Sequence, residues 1–190
     1  MTPEPNPPMR ENLAWAQWWA FPWDYAHEDW KDDKYQAINA LYRSRRLVPS
    51  GLTGVVTCLP ARPQPAVLHM ALASTEQLNM TLALVHDTFN PQAPGLLSDN
   101  DHLWCIRLSK ALPPDMLSSG AEPLQLLHSW VEPAIWQRLR LRFSRARVLE
   151  VEKNSLSLDT TNNRLNTLWQ AVVWRVTTLA SDHLPLDANE

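Results

Sequence analysis

The chain is poor in glycine, with four residues in 190 against sixteen prolines. Gly51, Gly54, Gly95 and Gly120 are too dispersed to write GxGxxG or GxxxxGK[ST], and GxSxG is missing as well. The common phosphate cradles and the nucleophile elbow are thereby excluded. Cysteine is scarce: Cys58 and Cys105 stand far apart, with no Cys-x-x-Cys and no Cys/His spacing, and both are expected as small buried hydrophobes of a reducing compartment. Charge of one sign is also lacking, because the formal net charge is only −3. No general attraction to nucleic acid or to an anionic membrane is built into such a chain. No apolar run approaches the ~18–20 residues that a spanning helix needs. The first ten residues hold four prolines and no apolar stretch, so no secretory leader is expected there.

What is present is apolar and aromatic. Hydrophobic residues make up 45% of the chain, enough for a core, and there are ten tryptophans. Tryptophan supplies the most burial per side chain and is enriched at binding hot spots. Proline without glycine suggests stiff elbows between helices rather than flexible linkers. The expected fold is therefore mainly α, an irregular helical bundle punctuated by proline, with at most one or two short strands near 52–59.

Along the chain, residues 1–8 are expected as a disordered tail and 9–190 as one helical domain, or two lobes with a boundary near 60–73. A helix is predicted over Arg10–Ala20, stopping before Phe21-Pro22 because a residue preceding proline resists the helical region. Asp29 or Asp32 would cap a second helix to about Arg46, with Tyr35, Ile38, Leu41 and Tyr42 on one face. Leu52–Leu59 is β-branched and predicts the short strand, and Pro60, Pro63 and Pro65 predict a rigid linker. Ser74 with Gln77 forms a capping box ahead of Leu78, Leu82, Val85 and Phe89 at helical spacing. Ser98 caps the next helix, which Pro113-Pro114 stops. Short helices are predicted over Pro114–Ser119 and Glu122–Trp130. Pro133 opens a helix to about Val148. Thr160 or Thr161 starts the last, striped by Leu165, Leu168, Val172, Val176 and Leu179.

Residues that could carry chemistry show little organisation. Among six histidines none is three or four residues from another, so no helix offers two imidazoles to one metal. His86-Asp87 and Asp101-His102 are adjacent pairs, and neighbours on a helix point to different faces. Asp24, Glu28, Asp29, Asp32 and Asp33 cluster as acids favoured near helix N-termini do. Arg138, Arg140, Arg142, Arg145 and Arg147 alternate at first with Leu139, Leu141 and Phe143. With period two this is a strand with an arginine face. With period 3.6, which Pro133 favours, Ile135, Leu139, Phe143 and Ala146 form a buried stripe and the arginines fan over the exposed side. The arginine face suits plain solvation, or docking of an acidic partner protein, better than nucleic acid. No catalytic residue, metal ligand or cofactor is assigned, and membrane insertion is not expected.

The segment Leu13–Trp30 is the most specific feature. Fully burying one of its large side chains contributes roughly 1.5–3 kcal/mol, so the stretch must dock somewhere, as a core staple or as a partner surface. The order Trp18-Trp19, Phe21-Pro22-Trp23, Tyr25-Ala26-His27 and Trp30 resembles the opening of the type III secretion accessory proteins of the SctK class. Size and tryptophan content place it nearest the HrpD-like members of plant-associated bacteria. Looser similarity continues near His102–Leu112 and Trp130–Trp136, whereas the Cys58 region and its prolines have no counterpart in the family pattern. The resemblance implies a helical, non-catalytic cytoplasmic adaptor, stationed at the inner membrane when assembled. It would link the inner-membrane ring protein (SctD class) to the pod protein (SctQ class). Expected partner-binding residues are Trp19, Trp23, Tyr25, His27 and Trp30, as one surface or the core supporting it, with Arg138, Arg142 and Arg145 on a separate one. The alternatives are a chaperone for a secreted substrate and, behind it, an enzyme without short motifs using Asp24, His27 or Glu28.

Overall fold

A computed structural model describes residues 7–31, 54–91, 97–112, 122–153 and 162–182. Every regular element among them is helical, in keeping with the expected class. The α-helices are α1 (Pro7–Ala20), α2 (Pro65–Leu72), α3 (Thr75–Phe89), α4 (Asp99–Ala111), α5 (Pro123–Trp130), α6 (Pro133–Leu139), α7 (Arg145–Lys153) and α8 (Asn162–Asp182). Short 3-10 turns occupy Pro22–Tyr25, Glu28–Trp30 and Arg140–Arg142. No described helix is long and apolar enough to cross a membrane.

Several boundaries follow from local chemistry. Ser74 Oγ accepts from the Gln77 amide while Gln77 Oε1 accepts from the Ser74 amide, so the capping box closes reciprocally at the start of α3. Ser98 caps α4 by accepting from the Asp101 amide. Proline opens α2, α5 and α6, where its missing N–H would have been unsatisfied anyway.

Other expectations are corrected. The part of the expected strand that is described, residues 54–59, forms none; after a turn at Gly54 it runs on without regular structure. Asp29 opens no long helix and sits inside the turn Glu28–Trp30; residues 32–53, where that helix was expected, lie outside the described residues. So do Pro114–Ser119 and the side chain of Leu179. The helix expected from Pro133 to Val148 ends at Leu139, passes through the 3-10 turn, extends at Phe143 (φ −111°, ψ 162°) and restarts at Arg145. Ala146 is exposed, and Val148 and Val151 supply the buried positions of α7.

The chain divides into two compact units, Met1–Leu72 with Val131–Ser155, and Ala73–Trp130 with Leu156–Glu190. In the first, α1 packs on α2 and on the turn Pro22–Tyr25, and that turn packs on α6 and on the turn Arg140–Arg142. Trp23, Ala26, Val55 and Leu141 form a core cluster there, with Trp30 against it. In the second, α3 is central and packs on α4, α5 and α8. Leu78, Leu82, Val85 and Phe89 of α3 and Leu165, Leu168, Val172 and Val176 of α8 are buried, so both helical stripes face inward.

Candidate functional site

The aromatic segment and the arginine segment, expected as separate surfaces, meet in the first unit. Trp15, Trp18 and Trp19 share the buried face of α1, with ring centroids 5.1–6.2 Å apart. Trp15 Nε1 donates to the Ala61 carbonyl (2.9 Å) and Trp19 Nε1 to the Cys58 carbonyl (3.1 Å). Beyond α1, Pro22 sets the first 3-10 turn and drives Trp23 into the core. His27 caps the next turn, its Nδ1 accepting from the Asp29 amide at 3.2 Å. That bond uses the Nδ1 lone pair, so it describes the imidazole better than the longer 3.5 Å approach to the Asp29 carboxylate, which would need a proton there. Trp30 Nε1 then donates to the Phe143 carbonyl (2.9 Å), with the guanidinium groups of Arg140 and Arg145 over its ring at 5.8 and 5.5 Å.

The arginines hold this arrangement from the other side. Arg138 is 3% exposed, not fanned into solvent. Its guanidinium lies 3.9 Å from the Trp19 ring centroid and donates to the carbonyls of Trp19 (3.0 Å), Ala134 (2.9 Å) and Val56 (3.1 Å). Burial pushes its pKa down, opposed by the nearby Cys58. Arg142 donates to the Tyr25 carbonyl, and burial lowers its pKa too. The amide of Arg145, which opens α7, reaches the Asp29 carboxylate at 3.3 Å, a placement the helix dipole favours. Of the residues expected to bind partners, Trp19, Trp23 and Arg138 are buried framework, Tyr25, His27, Trp30 and Arg142 are half-buried, and Arg145 is exposed.

This framework supports an open groove of about 270 Å³ lined by Trp19, Trp23, Val56, Cys58 and Arg138, with Ala16 and Ala20 at its α1 side. Met9, Leu13, Ala16 and Ala20 are all exposed and fall at spacings of four, three and four, one stripe along α1 leading into the groove. The groove's volume lies near the lower end of the ~300–1,000 Å³ usual for small-molecule sites, and its lining is mainly apolar. Sequence reasoning missed the stripe because the tryptophans on the opposite face of α1 dominate the pattern.

It also missed a polar cluster in the second unit. Each acid–histidine neighbour pair is split between partners on different elements. Asp87, buried in α3, lies 2.7 Å from His102 Nδ1 on α4. Asp101 instead accepts from Arg175 of α8 (2.8 and 3.1 Å) and from Ser98 (2.6 Å). The mirrored order His86-Asp87 and Asp101-His102 was the available signal, since two packed helices can bring the inner acid of one to the histidine of the other. Cys105 lies one turn after His102, fully buried, and burial above all pushes its thiol up to about 12. A protonated, inaccessible thiol is a packing group, not a nucleophile. No family model, curated protein or solved structure matches the chain.

Proposed function

We propose that this protein is a cytoplasmic adaptor of a type III secretion system, linking the inner-membrane ring protein of the SctD class to the pod protein of the SctQ class. The observation that carries the reading is the ordered series Trp18-Trp19, Phe21-Pro22-Trp23, Tyr25-Ala26-His27 and Trp30, which resembles the opening of SctK-class proteins. Its support in the fold is that Trp19, Tyr25 and Trp30 of the series are fastened into one unit by side-chain bonds from Trp19, Trp30, Arg138 and Arg142. Buried members act as scaffold. The contact itself belongs to the exposed stripe of α1 and its groove, which takes an apolar side chain of the partner. Assembly would bring the protein to the cytoplasmic face of the inner membrane.

The test is co-purification of the tagged protein from its native cytosol, beside a Leu13→Glu, Ala16→Glu variant. Both positions are exposed, Leu13 by 56%, so the variant keeps its helical circular dichroism. Ring and pod proteins should accompany the wild type, and at least one should be lost from the variant. Recovery of a secreted substrate without either structural protein would replace the adaptor reading with a secretion chaperone.

A further inference from the structure

Val55-Val-Thr-Cys-Leu59 has the composition of a strand, yet no strand pairs with it among the described residues. The chain runs from Val55 to Gln64 without a turn or bend. One edge of it is occupied. The Val56 amide donates to Gln137 Oε1 (3.0 Å), the Val56 carbonyl accepts from Arg138 (3.1 Å), and the Cys58 carbonyl accepts from Trp19 (3.1 Å). Main-chain groups of residues 56 and 58 therefore face the same way, the period of two of an extended chain; the alternation ends at Pro60, beyond which the Ala61 carbonyl turns back to α1 and accepts from Trp15. That alternation turns the amides and carbonyls of Thr57 and Leu59 to the other edge, where they have no hydrogen-bond partner among the described residues. The neighbouring side chains are open too: Val56 is 58% exposed and Leu59 90%. Proteins usually guard such an edge with charge or proline. Here no charged residue lies between Gly54 and Ala61, and the first proline is Pro60.

We propose that this edge pairs with the same edge of a second copy, as two antiparallel strands related by a two-fold axis at Cys58. Thr57 of each copy then faces Leu59 of the other, and each facing pair exchanges two main-chain hydrogen bonds. A second copy is the occupant the chemistry favours because the edge is complementary to itself. It carries no charged residue from Gly54 to Ala61, so two copies meet along it without like-charge repulsion. The two Cys58 residues form a non-hydrogen-bonded pair, with Cα atoms ~4.5 Å apart. That separation lies within the ~4.4–6.8 Å a disulfide spans. So short a pairing makes a weak dimer that forms with rising concentration. The edge borders the groove assigned to the adaptor contact, because Val56, Thr57 and Cys58 line both, but its test reads self-association of the pure chain and not capture of another protein.

The test combines sedimentation equilibrium of the reduced full chain with oxidation by diamide, which takes up the two electrons and two protons released as two Cys58 thiols join. A reversible dimer should appear on concentrating the protein, and diamide should trap it as a disulfide that Cys58→Ser abolishes. Both Thr57 and Leu59 are exposed, so Thr57→Lys with Leu59→Lys spares the monomer while setting lysine against lysine twice. Dimerisation should weaken by about tenfold. A chain that stays monomeric, a dimer indifferent to the two lysines, or trapping that does not depend on Cys58 would each overturn the pairing.

Discussion

Arg138 donates to three carbonyls and lays its guanidinium on the Trp19 ring, so one side chain ties α1, α6 and the segment after Gly54 together. A lysine there keeps the charge but loses the planar fork and the stack. Arg138→Lys should cost on the order of 3 kcal/mol, because carbonyls are left unpaired beside a buried charge. Urea unfolding followed by circular dichroism measures it, and a cost under about 1 kcal/mol would mean that those carbonyls find other partners. Cys105 gives a pH-dependent counterpart. Its folded pKa, near 12, lies above the ordinary 9.0, so folding favours the thiol. The stabilisation is intact below pH 9 and is lost as pH rises from there toward 12. In that window stability should fall by up to about 1.4 kcal/mol per pH unit, and Cys105→Ala should flatten the slope. The sequence shows both residues, but not their burial. Arg138 carries the same letter as the arginines around it, and only long-range packing selects it for the core.

The stretch from Pro133 to Lys153 shows what element-scale patterns resolve and what they do not. Ser74 with Gln77 and Ser98 with Asp101 are local signals, and the helices start where they say. Between Leu139 and Phe143 the letters carry two periods at once. The chain satisfies both, closing a helix at Leu139 and then burying Leu139, Leu141 and Phe143 alternately through a 3-10 turn. The break is stabilised from outside: the Leu141 carbonyl accepts from the His27 amide (2.7 Å) and the Phe143 carbonyl from Trp30 Nε1 (2.9 Å). Both donors lie more than a hundred residues away, beyond the reach of any local pattern. Trp30→Phe keeps an aromatic ring near Arg140 and Arg145 but removes the donor. It should cost about 1–2 kcal/mol by urea unfolding. No change would mean that water serves the Phe143 carbonyl equally well.

At the scale of the whole molecule, the number of tryptophans was plain in the sequence, but whether they faced inward was not. Trp15, Trp18, Trp19, Trp23, Trp136 and Trp169 are buried, Trp30, Trp104 and Trp130 are half-buried, and Trp174 is 62% exposed. The first unit thus uses its indole rings chiefly as core, whereas in the second Trp169 alone is buried. Trp174 stands apart because α8 buries Val172, Val173 and Val176 and turns position 174 outward. Composition cannot separate these uses, since the apolar surface one indole buries is the same in a core as against a partner. Fluorescence can. Native emission should lie well to the blue of free tryptophan, and acrylamide, a neutral quencher that the arginines around Trp30 do not concentrate, should reach mainly Trp174. Trp174→Phe should remove most of the readily quenched emission and move the remainder further to the blue. Quenching that survives this substitution and also the replacement of half-buried Trp30, Trp104 and Trp130 by Phe would mean that tryptophans assigned to the two cores are open to solvent. The scaffold role given to the aromatic segment would then fail with it.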